Sequence, residues 1–446
     1  MSGAVDTATA ADVVVERMVP GGAGLGRTAD GRIRLVAGGA PGDRLRPREG
    51  DRGDDALTVR AFEIVERGAD RVEPECPWAD RCGGCDWMHL ERAAELREKR
   101  AVVRDALVRV GRLQAPPVEA VRTAGASIAL RDRLRLHVSD AGAVGLLGAR
   151  SRAVVEIDRC LVARPELNAA IGELRAAGRR YAGALAGIEE LELRVAPAGP
   201  PVALAARLRE PTQLATVALL RELARRWAVG IGTRGRGPGG PARVRLPQPE
   251  DQRWPLPGGA TLSAPPDAFT QPSREVAALL VGAVVAGARQ RGVRTFVDLY
   301  CGAGAFTLAL GATGASGVGV ERDGSALRAA ERQRRAAGAS GVRFVRGDAA
   351  SLVDRVGEPG ERPDLVVVDP PRAGARGAVE GLLRLRPAHV AMCSCDPATL
   401  ARDLGALVAG GYALEEIVPF DMFPRTHHVE TLAWLRVADA GGPRAG

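Results

Sequence analysis

Two segments near the C-terminal end hold residue types able to make and break covalent bonds. In Cys393-Ser394-Cys395-Asp396-Pro397 an apolar run gives way to a helix at a cysteine. A helix N-terminus can lower a thiol pKa, so Cys395 is placed to act as a thiolate nucleophile. Cys393 lies deeper on the same strand face and reads as a core residue. In Arg425-Thr426-His427-His428-Val429-Glu430-Thr431 a carboxylate leads an apolar strand. That is unusual unless the group is paired or at work. Asp369-Pro370-Pro371-Arg372 closes another apolar run. Open α/β sheets bind their ligands at such strand ends.

A glycine-rich loop supplies a second component. Asp298-Leu299-Tyr300-Cys301-Gly302-Ala303-Gly304 follows a strand and opens a helix near Ala305. Glu321 ends the next strand, as a carboxylate gripping a ribose diol would. Asp348 ends the third, where it could read an adenine amine. The loop lacks the third glycine of a dinucleotide fingerprint and carries an acid ahead of it. S-adenosylmethionine fits better than NAD, because a sulfonium ligand has no pyrophosphate to cradle. A thiolate, a carboxylate and a methyl donor suggest one chemistry. C5 of a pyrimidine is a poor nucleophile, but thiolate addition to C6 turns the ring into an enolate whose C5 can take the methyl group. A base then removes the C5 proton and the thiolate leaves by β-elimination.

These residues need a scaffold, and the pattern from about 270 onward supplies one. Strand-like runs at 295–299, 317–320, 342–345, 365–368, 389–393, 412–418 and 428–437 alternate with helical stretches such as 325–337 and 398–408. The fold class is α/β: a doubly wound, Rossmann-like parallel sheet covered on both faces. The apolar run 276–288 is far short of a membrane span and reads as a buried helix. Upstream, short strands at 13–16, 32–36, 44–47 and 56–65 between glycine-rich turns suggest an OB-type barrel. A helix follows at 92–110. The stretch 128–260 is mostly β, with strands at 130–138, 153–157, 191–195 and 202–208.

The 446 residues carry 62 Lys+Arg against 54 Asp+Glu, a net charge of +8, and Lys99 is the single lysine. Arginine-rich codon usage and an anionic partner explain this equally well. Between 207 and 245 nine arginines face only Glu210 and Glu222, around the glycine-rich run 234–240. A solvated loop and a phosphate-tracking loop both fit. At 46% apolar residues the chain can bury a core, which excludes global disorder. The opening MSGAVDTATAAD has no signal-peptide pattern, so the compartment expected is the cytoplasm. Cysteines there are metal ligands or catalysts more often than disulfides. Cys76, Cys82, Cys85 and Cys160 offer four thiolates, which zinc and a [4Fe–4S] cluster both accept. One C-x2-C pair with two outliers suits a cuboidal cluster better than a two-pair zinc ribbon.

Taken together, the sequence resembles the RNA uracil-C5 methyltransferase family, and within it the iron–sulfur branch acting on 23S ribosomal RNA. The resemblance rests on Phe269-Thr270-Gln271, DLYCGAGAFTL (298–308), Glu321, GDA (347–349), DPPRAGA (369–375), SCDPATLARDL (394–404) and THHVET (426–431). GGAGLGR (21–27) and GGAPGD (38–43) resemble the TRAM RNA-binding barrel, and LRDRLRLHV (130–138) also looks like the family. The resemblance implies Cys395 as nucleophile and Glu430 as base. It implies a cofactor site of Gln271, Tyr300, Glu321, Asp348 and Asp369, and a [4Fe–4S] cluster on Cys76, Cys82, Cys85 and Cys160. It departs at Ser273, Ala305 and Asp396, where the family usually has Asn. The organisation expected is a TRAM-like barrel at 1–68, a central iron–sulfur domain at 69–265 and a methyltransferase domain at 266–446. The expected protein is a monomer that binds RNA, but neither DNA nor membrane. Rival readings are transfer-RNA methylation, a non-catalytic RNA-binding assembly factor and a small-molecule methyltransferase.

Overall fold

The computed structural model describes residues 11–48, 57–231, 246, 249–352 and 362–438. The run 234–240 and the arginines from 234 to 245 lie outside the described residues. Two compact units result: Met1–Asp80 with Gly84–Val102 and Arg425–His427, and Arg81–Gly83 with Val103–Pro424 and His428–Gly446.

In the first unit, β1 (Val13–Met18), β2 (Gly24–Thr28), β3 (Ile33–Val36), β4 (Arg44–Pro47), β5 (Thr58–Val59) and β6 (Phe62–Glu66) form one sheet in the order β5-β3-β2-β1-β4-β6. It is a mostly antiparallel half-barrel, around a small core of Val13, Val15, Val36, Leu45 and Val59. The strand β2 was not expected, because its sequence GLGRT reads as a turn. Close packing explains its glycines: a Cβ on Gly26 would lie 2.5 Å from the Val14 carbonyl oxygen. Asp43 is fully buried and accepts from Ala40 N, Gly68 N and the Arg71 guanidinium, which fixes the GGAPGD loop. The chain's one lysine is structural. Lys99 is buried on α1 (Arg92–Arg109), 3.0 Å from Glu95 one turn earlier.

The second unit contains two large sheets. The first joins β7 (Arg133–Val138), β8 (Val144–Leu147), β9 (Val154–Glu156), β10 (Ile188–Val195), β11 (Val202–Leu208) and β12 (Ala228–Ile231) in the order β12-β11-β10-β7-β8-β9. Helices α2 (Pro165–Arg180) and α3 (Leu214–Leu223) accompany it, and the hairpin β13 (Gln252–Pro255) and β14 (Thr261–Ala264) follows. Three of the described arginines here meet acids distant in sequence. Arg207 meets Glu189 and Glu190, Arg209 meets Asp140, and Arg226 meets Glu173. These three arginines of the run are thus paired across strands and helices.

The last sheet carries the site. Helix α4 (Arg274–Gln290) precedes β15 (Thr295–Leu299), α5 (Ala305–Gly311), β16 (Ser316–Glu321), α6 (Gly324–Ala336), β17 (Val342–Arg346), α7 (Ala349–Leu352), β18 (Leu365–Val368), α8 (Arg376–Leu385), β19 (His389–Ser394), α9 (Pro397–Ala409), β20 (Tyr412–Phe420) and β21 (Glu430–Val437). The strand order is β17-β16-β15-β18-β19-β21-β20. The expectation of an all-parallel sheet needs one correction, since β21 runs antiparallel to both β19 and β20. The link from β20 to β21 is too short for the helical crossover that a parallel return demands.

Alternation along the strands assigns the two faces. Val297, Leu299, Val366, Val368, Val390 and Met392 pack toward α8 and α9. Phe296, Leu365, Val367, Ala391, Cys393, Leu432 and Trp434 pack toward α4 and α5. Trp434 reaches α4 where Gly287 leaves room, and a Cβ there would lie 2.4 Å from its ring. Gly287→Ala is therefore expected to lower stability by about 1–3 kcal/mol through overpacking. Thermal unfolding measures this; an unchanged melting temperature contradicts the close packing.

Candidate active site

Strand register builds the site. Pairing of Val368 with Met392 carries Asp369 alongside Cys393, and pairing of Ser394 with Thr431 carries Cys395 opposite Glu430. Pairing of Leu299 with both Val320 and Val368 places Tyr300 between Glu321 and Asp369. The two-residue period then turns Asp298, Glu321, Asp369, Cys393 and Glu430 to the α4/α5 face. One row at the C-terminal edge of the sheet thus holds most of the residues read from the sequence.

The loop between β15 and α5 is bent for this purpose. Tyr300, Gly302 and Gly304 all have positive φ, of 63°, 55° and 88°. For tyrosine that conformation is strained and is held by its surroundings. Glu321 accepts from Gly302 N at 3.1 Å and, through its other oxygen, from Arg322 N and Asp323 N. Asp348 stands two residues beyond the end of β17, exposed, and accepts from Ser351 N at 3.2 Å. Gln271 is half-buried in the segment leading into α4. That segment is fixed from behind. Arg194, buried on β10, donates to Ala264 O, Pro265 O and Ala268 O and covers the Trp254 ring; Asp132 accepts from Arg274 N and Arg164.

Electrostatics in the row is that of acids short of cations. Burial pushes Asp369 up to about 6. Burial, reinforced by the charges of Asp369 and Glu321, pushes Asp298 up to about 7 against the hydrogen bonds from Thr307. Glu430 is 3% exposed, its Oε1 has no hydrogen-bond partner, and burial beside Asp369 holds its pKa well above the usual carboxylate range. Cys395 is only half-buried, yet its thiol is pushed up to about 11, first by burial and then by Glu430. This overturns the expectation of a thiol acidified by the helix N-terminus. Burial and the carboxylates of Glu430 and Asp369, from neighbouring strands, push the thiol up.

Arg372 is the opposing cation, and sequence reasoning left it out of the site. It hydrogen-bonds the Cys395 thiol and lowers both that thiol and Glu430, while its Nη2 lies 3.3 Å from His428 Nε2. Asp298, read from the sequence only as the acid ahead of the glycine loop, also belongs to this row. Alkylation of Cys395 by iodoacetamide, followed by peptide mass spectrometry, is expected to accelerate about tenfold per pH unit up to about pH 11. Arg372→Ala slows it further at pH 8 by removing the cation. A rate that levels off below pH 8 contradicts this ordering.

Comparison with known proteins agrees with the geometry. Residues 261–438 match the family model described as tRNA (Uracil-5-)-methyltransferase. An uncharacterized RNA methyltransferase of Gloeobacter violaceus is 32% identical over 95% of this chain and 95% of its own length. The 23S rRNA (uracil(1939)-C(5))-methyltransferase of Chromohalobacter salexigens is 33% identical over 96% of this chain and 90% of its own. The chain belongs to the RNA uracil-C5 methyltransferase family. Like the family, it is an S-adenosylmethionine-dependent enzyme acting on RNA. Its fold also matches the Pyrococcus abyssi tRNA (uracil-54, C5)-methyltransferase solved with S-adenosyl-L-homocysteine, at a TM-score of 0.70 and 23% identity, over 95% of this chain and 100% of that one.

Two departures from the family pattern have structural substitutes. Ser273 is buried as the N-cap of α4, where its hydroxyl accepts from Val276 N. Asp396 caps α9 by accepting from Thr399 N at 2.8 Å, a duty Asn performs as well. Ala305 simply begins α5.

The four N-terminal and central cysteines form no disulfide among the described residues. Cys160 is buried, and its backbone exchanges two hydrogen bonds with the Asn168 side chain; Cys82 makes an isolated strand bridge to Gly148. Among the described residues, no three His, Cys, Asp or Glu side chains gather into a metal-holding group. No described helix is long and apolar enough to cross a membrane.

Proposed function

We propose that this enzyme makes 5-methyluridine in 23S ribosomal RNA, with Cys395 as nucleophile and Glu430 as base. The observation that carries the chemistry is the register that sets a thiol opposite a buried carboxylate with an unpartnered oxygen at the ligand-binding edge of the sheet. Arg372 stabilises the Cys395 thiolate as it adds to C6 of the uridine. C5 then attacks the donor's methyl carbon, and the thioether product departs. Glu430 takes the C5 proton, and the electrons of that C–H bond expel the thiolate.

Gln271, Tyr300, Glu321, Asp348 and Asp369 form the proposed cofactor site. Charge supports this reading, because S-adenosylmethionine brings a sulfonium cation to buried acids that lack one, and supplies the methyl group. Its binding should release protons from Asp369 and Asp298. Their raised pKa values of about 6 and 7 are lowered by a nearby cation, so affinity rises with pH between 5 and 8. The uncharged thioether S-adenosylhomocysteine gains less. Calorimetry at both pH values tests this, and equal pH dependence for the two ligands contradicts it.

The RNA-binding parts of the proposal are the TRAM-like half-barrel within 1–68 and the domain at 69–265. The 23S assignment is supported by that barrel and by the Chromohalobacter relative. A [4Fe–4S] cluster on Cys76, Cys82, Cys85 and Cys160 is proposed from a donor set of four thiols outside any disulfide, in a structural role. Anaerobic purification should give iron and sulfide in about equal amounts, whereas stoichiometric zinc without iron contradicts the cluster. Mapping 5-methyluridine in a strain lacking the gene decides the substrate. Loss from 23S ribosomal RNA supports the proposal, and loss from transfer RNA alone overturns it.

A further inference from the structure

Between α6 and the edge strand β17 runs a groove of about 850 Å³ whose lining includes Arg328, Arg332, Arg334, Arg335, Arg343 and Arg346. The one acid in that lining is Glu331. Chain-wide, 62 cations meet 54 anions, so abundant arginine alone does not produce six against one. Glu331 engages Arg334 and Arg335, and Asp251 engages Arg332. Arg328, Arg343 and Arg346 are exposed and form no salt bridge among the described residues. Positions 328, 332 and 335 fall on one stripe of α6 at helical spacing. Arginine on an edge strand also discourages sheet-to-sheet pairing. That purpose accounts for Arg343 and Arg346 but not for the stripe across the groove.

The groove is continuous with the site. Arg346 pairs in register with Glu321 at the C-terminal end of β17, and its Nε donates to Arg322 O at 3.2 Å. A concave, one-signed surface opening beside the cofactor edge suits a polyanion, and guanidinium groups match phosphate in a bidentate manner. We propose that the α6/β17 groove is a docking surface for the phosphate backbone of the RNA that flanks the target uridine. This rests on the RNA methyltransferase reading and adds a second anchoring surface to it.

The test is fluorescence anisotropy with an unmodified, end-labelled 23S ribosomal RNA transcript, titrated across salt concentrations with the full-length protein. The triple variant Arg328→Glu, Arg343→Glu, Arg346→Glu should bind at least about tenfold more weakly, with a salt slope shallower by about 2. Its binding of S-adenosylhomocysteine should match the wild type, which reports an intact fold. Replacing the same three residues by lysine should preserve most of the slope. Should the triple variant misfold, Arg343→Ala on its exposed side chain still tests the groove, with an expected slope change of about 0.7–0.9. An unchanged slope in the folded variants overturns the groove while leaving the RNA reading intact. Failure of the wild type itself to bind RNA overturns the RNA reading instead.

Discussion

Cys395→Ala abolishes the covalent complex with RNA containing 5-fluorouridine and lowers methyl transfer by roughly 10⁴-fold or more, the scale on which losing a covalent nucleophile acts. Fluorine at C5 cannot leave as a proton, so after methyl transfer the C6–S bond has no route to β-elimination. The wild-type protein should therefore run as a protein–RNA adduct in a denaturing gel, provided the methyl donor is present. The seven cysteines make a control necessary. Cys393→Ala should still trap, because that side chain is fully buried within β19 and its thiol is pushed well up by burial among acids. An adduct that survives Cys395→Ala removes this residue from the mechanism. Arg372 holds the thiol below where burial and Glu430 alone would put it.

Glu430→Gln produces the opposite phenotype, an enzyme that captures RNA and does not let go. Addition to C6 and methyl transfer need the thiolate, whereas release needs a base for the C5 proton. The amide should leave the first steps and slow the last by about 10²–10⁴-fold, the usual worth of a general base. Covalent complex should then accumulate on ordinary uridine, without fluorine. The wild-type rate should rise with pH, because Glu430 must be ionised to act and its pKa is held up by burial and Asp369. That limb should vanish in the glutamine variant. A variant that turns over normally and forms no adduct assigns proton removal to another group.

Much of this site was legible because strand ends are local. Cys395, Glu321 and Asp369 each sit where an apolar run stops and Glu430 where one begins, and strand register brings such ends together at one edge of the sheet. The energetics was not legible. Cys395 looked activated by α9, but its thiol responds more strongly to burial and to Glu430, which lies thirty-five residues away in sequence and opposite it in the sheet. The arginines at 207, 209 and 226 looked like cations for RNA. They instead meet distant acids. Glycine misled in β2, where it serves close packing within a strand rather than a turn. The antiparallel β21 was hidden for a related reason: a strand's direction depends on its connection, while its apolar pattern is the same either way.

The most direct measurement follows hydrogen rather than carbon. The enzyme is incubated with S-adenosylmethionine and a 23S ribosomal RNA transcript tritiated at C5 of uridine. Tritium should pass to water in step with methyl incorporation, one for one, and neither should occur with Cys395→Ala. Methyl incorporation without tritium release would place the methyl group elsewhere and contradict the uracil-C5 chemistry assigned to Cys395 and Glu430.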